Sequence, residues 1–352
     1  IVAAPALFMV MLRLPGGAIS DRFGEKIILW FSFTMVIAAS LIAAFSSSLL
    51  PLIIAQLFNG ASRSVYWSAG QSYISRSAEG DAGKVMGRQL SFESTGGIIG
   101  LIVGLVAEGA GFTTAFLVMA GVSAIGFTIT SSLPPLPRKD QVRSFKASFA
   151  PAKHMLVHRR LLHAHMVAFM AAAHSGLMGG LFIAFFRDAG YDIVGTTIFR
   201  SFNSLGVASL AYFFGILLAR LGSRNTGTIG ISLTGLLAIA IGVTGELPVA
   251  PYVLMVVIGM TFGSLRALYP SLAAENSAPN QRAMALSVVS LYWAIAMLLS
   301  PLFFGFLADA TTILTAIYVF GGFAIVAGLL SPLVHSFAQG GRGDSDSAPP
   351  SA

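Results

Sequence analysis

Apolar residues fall along the chain in long unbroken runs, with polar and turn-forming residues confined to the short gaps between them. The runs occupy residues 1–19, 27–46, 49–73, 86–107, 112–133, 161–186, 194–218, 226–245, 248–273, 283–307 and 311–335. Each is near the length of about 20 residues that a helix needs to cross a bilayer. They are rich in Gly and Ala and lack the period-two alternation of barrel strands, so they predict membrane helices. Two stretches break the rhythm. Residues 134–160 open with PPLPRKD and read as a polar linker, and residues 337–352 (GGRGDSDSAPPSA at the end) read as a disordered tail. The expected organisation is an all-α membrane protein with a first helix bundle at 1–133, a linker at 134–160 and a second bundle at 161–336.

Composition narrows this further. The chain is 55% hydrophobic and 10% charged, with a mean hydropathy of +0.81; soluble domains carry about 25% charged residues. There is no cysteine, which excludes disulfides, thiolate metal sites and cysteine nucleophiles. The net charge of +7 raises the question of nucleic acid, but the basic residues are spread over inter-span loops. One alternate set of loops, with the linker and tail, holds Arg22, Lys26, Arg76, Lys84, Arg88, Arg138, Lys139, Arg143, Lys146, Lys153, Arg159, Arg160, Arg220, Arg224, Arg282 and Arg342; the other holds only Arg187 and Arg200. Sixteen against two is a topological signal: it places the linker and C-terminus in the cytoplasm of a multi-pass cell-membrane protein and makes a nucleic-acid partner unnecessary.

A signature repeats at half-chain distance. Gly17-x-x-x-Asp21-Arg22-x-Gly24-x-Lys26 returns 198 positions later as Gly215-x-x-x-Ala219-Arg220-x-Gly222-x-Arg224, and Gly60-Ala-Ser-Arg63-Ser-Val-Tyr66 aligns with Gly263-Ser-Leu-Arg266-Ala-Leu-Tyr269. Parallel repeats of about six helices are the symmetry of one class of transporter. The signature resembles the GxxxDRxGRK loop between helices 2 and 3 of the major facilitator superfamily, echoed weakly between helices 8 and 9. Here Glu25 replaces the usual first basic residue and Ala219 stands at the second acidic position. The resemblance implies two six-helix bundles, related by a pseudo-two-fold axis along the membrane normal. The eleven visible spans would then be helices 2 to 12, without the first. It also implies that the signature loop, with Gly17, Asp21, Arg22, Gly24, Lys26, Arg220 and Arg224, latches one conformation.

Charge inside a span costs at least about 2.5–3.5 kcal/mol and is functional by default. Arg13 is near enough to a span end to snorkel or to brace the Asp21 loop. Arg63 and Arg266 lie about ten residues from either end of their spans, roughly 15 Å deep. Arg63 shares a face with Gln56, Asn59, Gly60, Tyr66, Trp67 and Gly70, and Arg266 with Gly259, Gly263, Tyr269 and Pro270. The resemblance places these helices, 4 and 10, on the central cavity. Two guanidinium groups there suit a carboxylate or phosphate; each can equally be a structural ion-pair member. Glu93 reads as the counter-charge of Arg63, either as a static bridge or as a proton-coupling carboxylate. Leu291 stands at its equivalent, leaving Arg266 unpartnered and favoured for ligand contact. His174, mid-span on helix 7, is a relay or a packing residue. The cluster His154, His158, His163 and His165 lacks a completing carboxylate and reads as a solvated patch, not a metal site.

The leading expectation is a secondary transporter working by alternating access, with proton coupling left open, leaning to an organic anion. Its candidate substrate residues are Arg63, Arg266, Tyr66, Trp67, Tyr269, His174 and Asn59, with Glu93 for the proton. The alternative is multidrug/proton antiport, which an aromatic, Met-dotted cavity (Tyr66, Trp67, Tyr292, Trp293, Met297) would serve. Against it, Gly96–Gly104 resembles the GxxxGPxxGG antiporter motif but has Leu101 at the proline and Leu105 at the last glycine, and Gln56 stands at the antiporter arginine. A non-transporting sensor is a remote third reading. No phosphate-cradling loop is present and no acid–base–metal set assembles, so neither ATP hydrolysis nor enzymatic catalysis is expected. No cofactor is expected, the partners are substrate and lipid, and the protein is expected to be a monomer.

Overall fold

The computed structural model describes residues 4–77, 82–134, 152–277 and 281–340; within these, only the backbone is described at 4–5, 21–22, 68, 75, 82–83, 101–108, 193 and 283. Most of the expected linker and the expected tail lie outside the described residues. Every apolar run folds as helix. The first half holds α1 (Ala4–Phe23), α2 (Glu25–Ala44), α3 (Leu49–Ser77), α4 (Ala82–Ala110) and α5 (Phe112–Ser132). After a 3-10 turn at Arg159–Leu161 come α6 (Leu162–Met178), α7 (Leu181–Asp188), α8 (Ile193–Tyr212), α9 (Phe214–Thr244), α10 (Ala250–Glu275), α11 (Arg282–Ala310) and α12 (Ile313–Gln339).

Two runs depart from single spans. The run at 161–186 is split into α6 and α7 at Gly179-Gly180, where Gly180 leaves helical geometry (φ −139°, ψ −72°). The run at 194–218 stops at Tyr212, and its last residues open α9, which breaks at Gly222. That break matters because Gly222 has φ 73° and ψ 164°, while Gly24, its counterpart in the first signature, has φ 91° and ψ 152°. Only glycine occupies this region of backbone space readily. The same residue of the repeated motif therefore turns the chain in the same way in both halves.

Among the described residues, seven segments are long and apolar enough to cross a membrane by length and composition: α2, α5, α6 with α7, α9, α10, α11 and α12. The other four long helices, α1, α3, α4 and α8, carry Arg13, Arg63, Glu93, Arg200 and Asn203. Their polarity has a structural cause, because all four meet the opposite half, α3 through a smaller contact with α11. α1 packs on α11, and α4 packs on α8 and α10. Within the halves, α2 lies on α3 and α5, α9 on α10 and α12, α1 on α3, and α8 on α10. Moving 198 residues along the chain turns α1 into the end of α8 and the start of α9, and α4 into α11. The α1–α11 contact thus becomes the α8–α4 contact, as a two-fold axis between halves requires.

The seam of α4 with α8 and the start of α9 is tightest toward the linker face. A methyl on Gly87 would collide with the Ala211 carbonyl oxygen and meet Phe214 Cβ at 2.9 Å, and one on Gly215 would meet Lys84 Cβ at 3.1 Å. Ser91 Oγ donates to the Ala208 carbonyl at 2.8 Å. Further along, a methyl on Gly97 would stand 4.0 Å from Ser204 Oγ, and Gly96 and Gly100 have open space. The second signature glycine thus serves close approach between halves.

Candidate substrate cavity

An ion pair also crosses between the halves. Glu93, on α4, places Oε1 2.5 Å from Arg266 Nη2, on α10. The carboxylate is 36% exposed and the guanidinium 14%, so the pair borders solvent-accessible space without being fully wet. The space is a cavity of about 70 Å³ lined by Met9, Arg13, Arg63, Trp67, Glu93, Ser175, Arg266, Tyr269, Trp293 and Met297. Aromatic rings from both halves surround the paired arginine: its guanidinium carbon is 4.7 Å from the Trp67 ring centre, 5.8 Å from Trp293 and 6.0 Å from Phe262. At these separations the ring faces attract the cation.

The expected pairing of Glu93 with Arg63 is corrected by this geometry. α4 packs chiefly across the seam, on α8 and α10, so its carboxylate meets the arginine of the other half. Arg63 lines the same cavity with an exposed side chain, and among the described residues no carboxylate stands within ion-pairing distance of it. The inference that Arg266 is the unpartnered arginine is reversed with it.

Arg13 also departs from expectation. It does not snorkel to solvent but is 1% exposed on the cavity wall. Its Nη1 donates to the carbonyls of Ser64, at 2.9 Å, and Arg63, at 3.5 Å, and Ser64 Oγ returns a bond to the Met9 carbonyl at 3.2 Å. The physical reason is helix length: α1 runs through Pro15-Gly16-Gly17 to Phe23, which sets Arg13 deeper than a span ending near residue 19 implies.

The remaining sequence candidates divide. Trp67, Tyr269, Trp293 and Met297 line the cavity. Tyr66 turns instead to α2, edge-on to Phe33 at 6.0 Å and against the cluster of Ile28, Leu29, Val65 and Ala69. Asn59 is half-buried and off the cavity wall. Tyr292 leaves the wall too: its hydroxyl donates to the Leu156 carbonyl at 2.7 Å and its ring stacks on His165 at 4.2 Å. His174 is fully buried against Phe262, at 4.9 Å, and neighbouring Ser175 reaches the wall in its place. Helical periodicity brackets a face only to within about 100°, enough to exchange adjacent residues.

The family model for the Major Facilitator Superfamily matches residues 1–279 and 201–345. The chain belongs to the major facilitator superfamily. Its fold is similar to that of the human organic anion transporter MFSD10 (TETRAN), with a TM-score of 0.77 at 15% identity, covering 94% of this chain and 83% of that one. It is similar as well to the proton:xylose symporter XylE bound to 6-bromo-6-deoxy-D-glucose, with a TM-score of 0.76 at 12% identity, covering 93% and 84%. In sequence it is 26% identical over 122 residues to the MFS-type transporter ppzB of Metarhizium rileyi (strain RCEF 4871). That match spans 34% of this chain and 25% of the relative's length.

In this superfamily member the departure at Glu25 has a local partner. Glu25 is 6% exposed and accepts from Arg76 Nη1 at 2.7 Å and Ser72 Oγ at 3.0 Å, joining the start of α2 to the end of α3. Lys26 Nζ donates to the carbonyls of Ser131, at 2.6 Å, and Leu133, at 2.9 Å, a cation at the C-terminal end of α5 where the helix dipole favours one. Gly17 is buried in α1. The side chains of Asp21 and Arg22 lie outside the described residues, while Arg220 and Arg224 are exposed. The histidine cluster is not one solvated patch. His154 and His158 pair at the surface with rings 4.7 Å apart, and burial, with His154 and Arg160 nearby, holds His158 below the ordinary imidazole value. His163 and His165 are buried, and His163 contacts Ser331 Oγ through Nε2 and His335 Nδ1 through Nδ1, each at 3.1 Å.

Proposed function

We propose that this protein is a proton-coupled secondary transporter of a small organic anion. The observation that carries the reading is the Glu93–Arg266 pair, which joins the two halves inside a cavity that also presents the free guanidinium of Arg63. An anion entering the cavity docks first on Arg63, whose planar fork grips carboxylate or phosphate oxygens. It then competes with Glu93 for Arg266. A proton taken up by Glu93 removes that competitor, so substrate and proton load the same state. Because the pair spans α4 and α10, exchanging it for a bound ligand also changes what holds the halves together, which is the differential contact that alternating access requires. The organic anion transporter MFSD10, a fold neighbour, lends this reading support by its described activity.

The tight linker-side seam at Gly87, Ser91 and Gly215 fits a state closed on the cytoplasmic side and entered from the other. The protein is proposed to act as a monomer in the cell membrane, with linker and C-terminus cytoplasmic. Multidrug/proton antiport is the second reading, favoured by the aromatic box around Arg266 and by Met9 and Met297. Three guanidinium groups beside one carboxylate oppose a cationic drug.

The test is a melting-temperature screen of organic anions and cationic drugs on the purified protein, followed by uptake into proteoliposomes with a pH-sensitive dye inside. Anion-dependent stabilisation, with proton movement that Glu93→Gln abolishes, is expected. Stabilisation by cationic drugs alone would overturn the reading in favour of efflux.

A further inference from the structure

The cavity holds more positive charge than its one carboxylate offsets. Arg13, Arg63 and Arg266 all line it, and Glu93 is the single carboxylate among the lining residues. Glu93 engages Arg266, so Arg13 and Arg63 remain uncompensated. Arg13 is the more telling of the two. It is almost completely buried and is satisfied only in part: Nη1 bonds two α3 carbonyls, while Nε is a buried donor with no partner. Arg266 Nε is a second buried donor without a partner beside the same cavity. Buried polar groups are overwhelmingly paired, and each orphan calls for a reason. A lone guanidinium in a low-dielectric wall is also costly unless opposite charge reaches it.

Building on the anion-carrier reading above, we propose that the site takes a dianion, with Arg13 supplying the second uncompensated charge behind Arg63. Before Glu93 takes up its proton, three guanidinium charges less one carboxylate leave two, which a dicarboxylate or a phosphate monoester would neutralise. Field lines from buried charges concentrate in a narrow cavity with apolar walls, so Arg13 acts on the ligand without needing to be exposed. The cavity of about 70 Å³ favours short ligands.

The experiment compares matched mono- and dianions on the purified full-length protein at pH 7.5 by isothermal titration: butanoate against butanedioate, benzoate against phthalate, with inorganic phosphate alongside. At least one pair is expected to show the dianion binding about tenfold or more tightly, the change corresponding to one charge-assisted bond. Arg13→Gln is expected to bring that ratio toward one while altering the monoanion less. Arg63→Gln, at an exposed side chain, repeats the comparison should Arg13→Gln fail to fold. Equal binding of mono- and dianions, lost in Arg266→Ala, would overturn the dianion proposal and leave the anion reading standing. No binding by any anion would overturn both.

Discussion

Arg63 and Arg266 occupy matching places in the two halves and meet different fates, which makes them separable by substitution. Arg63 has a free guanidinium in the cavity, whereas Arg266 is bound to Glu93. Replacing Arg63 by Lys keeps the charge and loses the bidentate fork. Losing one charge-assisted bond costs about 1.5–3 kcal/mol, so Arg63→Lys should weaken an anionic ligand roughly 10- to 150-fold, read by titration calorimetry. Arg266→Lys should cost less affinity and instead flatten the pH dependence of binding, because its partner is the proton-coupling carboxylate. The opposite ranking would show that the substrate displaces Glu93 fully before Arg63 matters. Glu25 makes a related point about reading residues singly. It departs from the family signature without losing an interaction, because Arg76 and Ser72 bond it across two helices.

At the scale of elements, the two signature turns depend on Gly24 and Gly222, both at φ and ψ values that a side chain opposes. Gly24→Ala and Gly222→Ala should each destabilise by about 1–3 kcal/mol, lowering the melting temperature in detergent. Gly24→Ala should also disturb the α1–α2 corner from which Glu25 and Lys26 reach α3 and α5. A melting temperature unchanged in both variants would mean that the turns are not strained in the protein. The repeat is legible in the amino-acid sequence: motif spacing aligns the two glycines, and their backbone angles agree. The α6–α7 break is not legible there, since Gly179-Gly180 sits in a run whose hydropathy continues through it. Hydropathy reports what a segment can bury, not whether its hydrogen-bond ladder is continuous.

For the whole molecule, the seam between α4 and α8 must open on the linker side if the halves rock. Ser91 and Ala208 touch there, and the chain has no cysteine of its own. Ser91→Cys with Ala208→Cys therefore creates a single possible disulfide at this seam. Oxidation should stop proteoliposome transport, and reduction should restore it. Transport that continues with the bond formed would show that this seam is static and that any rocking occurs elsewhere.

The sequence by itself determined the helical class, the twofold internal repeat, the superfamily, the glycine turns and the presence of buried charge. These depend on local periodicity, on composition, and on motif spacing within the chain. Tertiary structure alone decided which charges meet. Glu93 and Arg266 are 173 positions apart and lie in different halves, and no spacing rule links them. The nearer candidate, Arg63, loses the carboxylate because α4 turns its contacts to the opposite half. The same holds for Arg13, whose depth is set by how far α1 extends and by the α3 carbonyls it meets, and for His163 and His165, buried by α12 and by Tyr292. A helix face is written in the sequence at a resolution of about one side of a cylinder. The helix placed against that face is chosen by the packing of the whole bundle.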